Sequence, residues 1–207
     1  MVNYQETAAC CTTGVILAGG RATRMGGRDK GLLPLAGKPM VEWVMAALKP
    51  QVTDIIINAN RNLDTYAAYG YRVVSDRLHG FCGPLAGIAC SMESASTPYV
   101  VTTPCDAPLV PLDLAHRLYR ALRVNRAEIS VAHNGERLQP VFALLECAIL
   151  NSLLDYLEAG ERKIDTWYSR HKLAIVDFSD RPECFVNINT PDEIEAVASR
   201  LLPIHPC

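Results

Sequence analysis

The run V-I-L-A-G-G-R-A-T-R-M-G-G-R-D-K, residues 15–30, concentrates cations where glycine frees the backbone. Arg21, Arg24, Arg28 and Lys30 crowd together, and Gly19, Gly20, Gly26 and Gly27 let the main chain approach a ligand that a Cβ would hold off. Free N–H groups beside clustered cations are chemistry for a polyphosphate. Lys30 offers a point charge and Arg24 a two-pronged grip on phosphate oxygens, while Arg21 and Arg28 read as surface residues. Two better-known phosphate loops do not fit. There is no Gly-x-x-x-x-Gly-Lys-Ser/Thr, and the strand is followed by Gly19-Gly20-Arg21 instead of Gly-x-Gly-x-x-Gly.

Asp106, in T-P-C-D-A-P, follows the uncharged strand Y-V-V-T-T. Mg²⁺ takes one or two carboxylates plus phosphate oxygens and water, so a single aspartate at a strand end suits it. Asn58 and Asp76 also end strands and could hydrogen-bond a base or ribose, or serve as turn residues. Asn187 and Asn189 are two residues apart, which on a strand puts both on one side, toward an acceptor or a metal-bound water. They could equally help the following helix start. No histidine has a partner at a recognisable spacing, and no Ser–His or Cys–His pairing stands out.

The elements that position these residues follow from periodicity. Val15, Ile16 and Leu17 form a buried strand, and D-I-I-I-N, Y-R-V-V-S and Y-V-V-T-T form others. A helix from Pro39 to about Lys49 shows Met40, Trp43, Val44, Ala47 and Leu48 on one face. Further helices are expected near 63–68, after Gly83, and at about 112–122, 150–157 and 163–168. E-I-S-V-A-H and L-Q-P-V-F-A-L-L read as strands about the turn N-G-E-R. Thr190, Pro191 and Glu193 read as a capping box opening a last helix to about Leu202. Strands alternating with helices imply βαβ units and a mostly parallel, Rossmann-like sheet in a single α/β domain. Gly19, Asn58, Asp76 and Asp106 each follow a strand, at the carboxyl edge where such sheets bind ligands. The expected layout is an N-terminal extension over 1–12, the domain over 13–202 and a tail over 203–207.

Composition narrows the partners. The chain has 207 residues, 49% hydrophobic and 20% charged, with a formal net charge of −2. That is a globular composition without the basic excess of a nucleic-acid binder. No apolar run is long enough to cross a bilayer, and the first residues lack a signal peptide's basic and apolar regions, so a cytoplasmic location is expected. The 8 cysteines include no Cys-x-x-Cys pair and read as free thiols, with Cys10, Cys11 and Cys207 in loose ends.

In order, L-A-G-G-x-x-x-R-M-G-G-x-D-K-G-L-L, L-x-G-K-P, N-A-N-R, G-P-L-A-G, P-C-D-x-P, G-E-R and V-N-I-N-T-P-x-E resemble the molybdenum cofactor guanylyltransferases over Gly14 to about Ala198. The resemblance implies a three-layer nucleotidyltransferase fold. It also implies transfer of GMP from GTP to molybdopterin, or its molybdenum-loaded form, with Mg²⁺ and release of pyrophosphate. Leu17, Ala18, Gly19, Gly20, Lys30, Asn58, Asp76 and Asp106 would contact GTP, Arg24, Lys30 and Asp106 would serve catalysis, Asp106 would hold the metal, and Asn187 and Asn189 would face the acceptor. Apo-molybdoenzymes or cofactor-delivery proteins would be further partners. Gly19-Gly20 and Asn187-Ile188-Asn189 differ from the L-A-A-G and D-I-D-T-P of the related cytidylyl enzymes, and a side chain at Gly19 is expected to crowd a purine. The alternatives are a cytidylyl- or sugar-phosphate nucleotidyltransferase, and a non-catalytic nucleotide- and cofactor-binding delivery protein.

Overall fold

A computed structural model describes residues 4–20, 29–77 and 83–201. Seven strands make one sheet: β1 (Thr12–Leu17), β4 (Asp54–Asn58), β5 (Arg72–Val74), β6 (Tyr99–Pro104), β7 (Ile129–His133), β8 (Leu138–Glu146) and β9 (Leu173–Asp177), in the order β5-β4-β1-β6-β8-β7-β9. A separate hairpin pairs β2 (Pro34–Leu35) with β3 (Lys38–Pro39). β5, β4, β1 and β6 run parallel, β8 is antiparallel to both its neighbours, and β9 is parallel to β7. The expected mostly parallel α/β sheet is therefore present.

Both faces of the sheet are covered, which is why its central strands read as apolar runs. Alternate residues serve opposite cores. Ile16, Ile55, Ile57, Val101 and Leu144 pack on the side of α2 (Met40–Leu48) and α5 (Leu114–Asn125). Val15, Val100, Ala143 and Leu145 pack on the side of α4 (Pro84–Ser94) and α6 (Leu150–Glu158), which α7 (Ile164–Tyr168) completes with Trp167 and Tyr168. A third cluster docks α8 (Pro191–Leu201) through Val197 onto Leu33, Leu35, Met40 and Ile188.

Several local features depart from expectation. Residues Tyr4–Cys11 form a helix, α1, that packs on α5 and buries Ala8, so Cys10 and Cys11 sit on a helix and not in a loose end. β9 was not expected. C-F-V-N-I-N is not a strand: Pro182–Phe185 is a 3₁₀ turn and the residues after it pair with no strand. β8 also carries a bulge, because the register passes from Val131↔Ala143 to Ala132↔Gln139 and leaves 140–142 unmatched. Pro140 is tolerated there because a bulge needs no ladder donor. The Thr102 hydroxyl donates to the Val141 carbonyl at 2.6 Å and the Tyr168 hydroxyl to that of Pro140 at 2.8 Å, satisfying oxygens the ladder leaves free.

Candidate active site at the carboxyl edge of the sheet

Strand order reverses at β1, whose neighbours β4 and β6 lie on opposite sides. This is the switch point at which open α/β sheets leave a crevice. Backbone bonds extend the register past the strand ends: Ala18 N donates to Asn58 O at 2.7 Å and Cys105 N to Leu17 O at 3.1 Å. Gly19, Asn58 and Asp106 thus meet at one edge. The Ile188 amide donates to the Asp106 carbonyl at 2.8 Å, which draws the segment before α8 to the same edge.

Lys30, Asp106 and Asn189 come together there. Lys30 opens a 3₁₀ turn, Lys30–Leu32, after the glycine-rich run. Its ammonium donates to Asp106 Oδ2 at 3.0 Å and to Asn189 Oδ1 at 2.5 Å. Asp106 is buried and Lys30 is half-buried, so the pair is shielded from bulk water. Asn189 is held in turn. Its side-chain amide donates to Asn187 O, and its backbone N–H, with that of Thr190, donates to Glu193. Glu193 N reaches back to the Thr190 hydroxyl at 3.3 Å, completing the expected capping box. These backbone donors, that of Asn189 first, hold the Glu193 carboxyl below the usual carboxylate range. The segment carrying Asn187 and Asn189 pairs with no strand, so the expected shared strand face is absent, and Asn187 is exposed.

Asn58 and Asp76 form a second group. Asn58 is buried; its side-chain amide donates to Asp76 Oδ1 at 2.9 Å, and that of Asn60 to Asp76 Oδ2 at 2.8 Å. The Asp76 amide returns a bond to Asn60 Oδ1 at 2.9 Å. Two glycines make room for this clasp. A Cβ at Gly87, in the first turns of α4, would lie 2.2 Å from Asn58 Oδ1. One at Gly19 would lie 2.9 Å from Asn60 Nδ2 and 3.2 Å from Asn58 Oδ1. A methyl at Gly19 would therefore press on both asparagine side chains, of which Asn60 is exposed and has room to yield. Gly20 is exposed, with open space where a Cβ would stand.

Asp29, which sequence reasoning passed over, lies behind Lys30 with its side chain 4% exposed. Its carboxylate accepts from the Gly31 amide at 3.2 Å, the Tyr66 hydroxyl at 2.7 Å and the Asn62 side chain at 3.0 Å, and the Arg61 guanidinium stands 3.6 Å away. Burial, then the neighbouring Cys105 and Asp29, push the Tyr66 phenol well above its usual range, so it remains a donor. In the sequence Asp29 stands beside Lys30 in the x-D-K-G-L-L end of the first motif, but its residue type alone points to no role there. Arg24, with Arg21, Arg28, Gly26, Gly27, Cys82 and the tail over 203–207, lies outside the described residues.

Asp106 Oδ2 and Asn189 Oδ1 converge on one point, where Lys30 Nζ lies. A divalent cation on these two hard oxygens would take the place of the Lys30 ammonium, releasing that ammonium toward phosphate, and would draw its remaining ligands from phosphate and water. Among the described residues no cluster of three or more His, Cys, Asp or Glu could hold a metal by itself. Such a cation would have to be shared with an anionic substrate.

A switch-point crevice with a lysine, an aspartate and paired amides at its edge defines a nucleotide-binding α/β protein. Comparison with known proteins narrows the class. Residues 14–174 match the MobA-like NTP transferase domain. The molybdenum cofactor guanylyltransferase of Shewanella sp. (strain MR-4) is 50% identical over 187 residues, covering 90% of this chain and 95% of that protein. The protein of the same name from Shewanella sediminis (strain HAW-EB3) is 47% identical over the same shares. In fold, molybdopterin-guanine dinucleotide biosynthesis protein A from Archaeoglobus fulgidus superposes with a TM-score of 0.76 at 21% identity, over 91% of this chain and 98% of that one. The 2-C-methyl-D-erythritol 4-phosphate cytidylyltransferase from Thermus thermophilus gives 0.68 at 16%, over 90% and 97%. The chain belongs to the MobA-like NTP transferase family.

Proposed function

We propose that this protein transfers GMP from GTP to molybdopterin, yielding the guanine dinucleotide form of the cofactor and pyrophosphate. The observation that carries the reading is the convergence of Lys30, Asp106 and Asn189 beside the end of β1. The names of relatives near half identity over nine-tenths of the chain supply the substrates.

The terminal phosphate of the acceptor attacks the α-phosphorus of GTP. A new P–O bond forms as the bond to the bridging oxygen breaks, and the electron pair leaves on pyrophosphate. The attacking phosphate is already anionic, so no strong general base is needed. The chain's task is to hold two anions in line and offset their repulsion. Lys30 does this at the departing pyrophosphate, with Arg24 as a second cation from the same run. A bound Mg²⁺, held by Asp106 and Asn189, would add electrostatic stabilisation of the phosphate oxygens. Asp76, fixed by Asn58 and Asn60, retains free lone pairs for ribose or base. Leu17, Ala18, Gly19 and Gly20 provide the floor, and Asn187 the rim on the acceptor side. The free thiols among the described residues suit a reducing, cytoplasmic compartment.

Pyrophosphate release tests this, with purified protein, Mg²⁺, molybdopterin and each of the four nucleoside triphosphates in turn. GTP alone should support rapid release. Asp106→Ala should lower the rate by roughly two to three orders of magnitude, as loss of one electrostatic stabiliser does. A preference for CTP would replace the reading with the cytidylyl one, and binding without release would replace it with a delivery protein.

A further inference from the structure

Asp29 touches none of the groups assigned above to substrate or metal, yet its side chain is only 4% exposed, against 18% for Lys30 and 13% for Asp106. A carboxylate is driven out of water only where enough donors replace it. Here the donors come from two places. Gly31 N–H belongs to the turn that carries Lys30, and Tyr66 and Asn62 belong to α3 (Leu63–Ala67) and its N-cap. The carboxylate therefore ties the turn to α3. The turn also packs closely on Tyr66 and on Cys105. A Cβ at Gly31 would lie 2.6 Å from Tyr66 Oη and 3.2 Å from the Cβ of Cys105, the residue before Asp106. The backbone of Lys30 is thus fixed relative to both α3 and the Asp106 strand end.

We infer that Asp29 is a positioning residue for Lys30: its buried carboxylate, shared between the Gly31 amide and the Tyr66 and Asn62 side chains, sets where the Lys30 ammonium meets the triphosphate. This rests on the reading of Lys30 as a phosphate contact. The lysine side chain is long and flexible, and an ammonium has no directional fork to aim it. Its aim must come from its backbone, and the bonds of Asp29 supply that. Asp29 contributes through geometry, so its loss should register only in quantities that Lys30 itself controls.

Calorimetric titration with Mg²⁺–pyrophosphate, which senses Lys30, and with guanosine, which does not, reads this out. Asp29→Asn keeps an acceptor for Gly31 and Tyr66 but turns a donor toward Asn62 and Arg61. It should weaken pyrophosphate binding about tenfold, within the ~100-fold that a displacement of about 1 Å can cost. Guanosine affinity should hold, and kcat should fall with KM for molybdopterin unchanged. Tyr66→Phe, which removes a single hydroxyl, should give the same pattern at about threefold, a smaller share of that same range. In a Lys30→Ala background neither change should weaken pyrophosphate further, because the group they position is gone. Equal losses with and without Lys30, parallel losses for guanosine, or wild-type pyrophosphate affinity in both variants would overturn the proposal. Should Asp29→Asn fail to fold, Tyr66→Phe carries the comparison by itself. Wild-type protein that releases pyrophosphate from GTP while these variants match it sinks this role alone. Wild-type protein that does not bind pyrophosphate overturns the reading of the site, and this role with it.

Discussion

Gly87→Ala is a conservative change within a helix, and propensity alone favours it by about 1 kcal/mol. The structure reverses that expectation. The new methyl would stand 2.2 Å from Asn58 Oδ1, 2.7 Å from its Cγ and 3.1 Å from Leu17 Cδ2. Asn58 is 2% exposed at the end of a central strand, so the crowded atom has little freedom to swing away. Overpacking of this kind costs roughly 1–3 kcal/mol. Displacing the carboxamide also breaks its 2.9 Å bond to the Asp76 carboxylate. Hydrogen bonds to charged groups contribute about 1.5–3 kcal/mol each. With the helical gain subtracted, a net destabilisation on the order of 2–4 kcal/mol is expected. Urea midpoints for Gly87→Ala, Asn58→Ala and the double variant measure it. In the Asn58→Ala background the methyl has room, and its cost should fall to the residual contact with Leu17. Additive costs, or a stabilised single variant, would refute the packing of Asn58 between β1 and α4.

Gly19→Ala pushes on Asn60 and Asn58 from the other side; Asn60 is exposed and can yield, so stability should change by less than about 1 kcal/mol, while kcat/KM for GTP falls more than for CTP as Asp76 loses its clasp. An unchanged ratio of the two specificity constants would separate this clasp from base choice. Glu193 is held below the usual carboxylate range in the folded state, so its contribution is present at neutral pH and is lost as pH falls through that lowered value. Glu193→Ala should therefore lower the unfolding free energy read from urea titration at pH 7 by on the order of 0.5 kcal/mol and converge on wild type in acid; a gap that persists in acid contradicts the cap. Burial, reinforced by Asp106, pushes the Cys105 thiol well above its usual range, so alkylation of native protein at pH 8 should label exposed Cys10 and spare Cys105 until urea is added. Equal labelling of both before unfolding would contradict the packing of Cys105 against Gly31.

The central sheet was legible because β1, β4 and β6 are buried on both faces and each carries a short run of β-branched or aliphatic residues with no charge inside it. β9 was not, because this edge strand buries Ala174 and Val176 while exposing Ile175 at 60%, which blurs the alternation. α1 is short and poor in amphipathic pattern, and a helix of that length needs tertiary support, here from α5. V-N-I-N reads as a strand because Asn187 and Asn189 stand two residues apart, the period of a strand. Its backbone instead runs past the sheet edge, where Asp106 O accepts from Ile188 N. The site divides the same way. Lys30 stood out in the cationic glycine-rich run and Asp106 at a strand end, and the structure joins Lys30 by hydrogen bonds to Asp106 and to Asn189, which the spacing places on a strand that is not there. Asp29 was hidden because Tyr66 and Asn62, which explain its burial, lie more than thirty residues along the chain. Gly87 stands in G-P-L-A-G, but its reason was hidden because it is a side chain from β4, Asn58, packed against helix α4.

The central claim is that GMP itself is joined to the pterin. Mass spectrometry of molybdopterin incubated with the protein, GTP and Mg²⁺ tests this most directly. The account predicts a pterin product heavier by one guanylyl group, formed in step with pyrophosphate and roughly two to three orders of magnitude more slowly with Asp106→Ala. Unmodified pterin after GTP is consumed, or a product carrying cytidylyl from a mixed nucleotide pool, would contradict it.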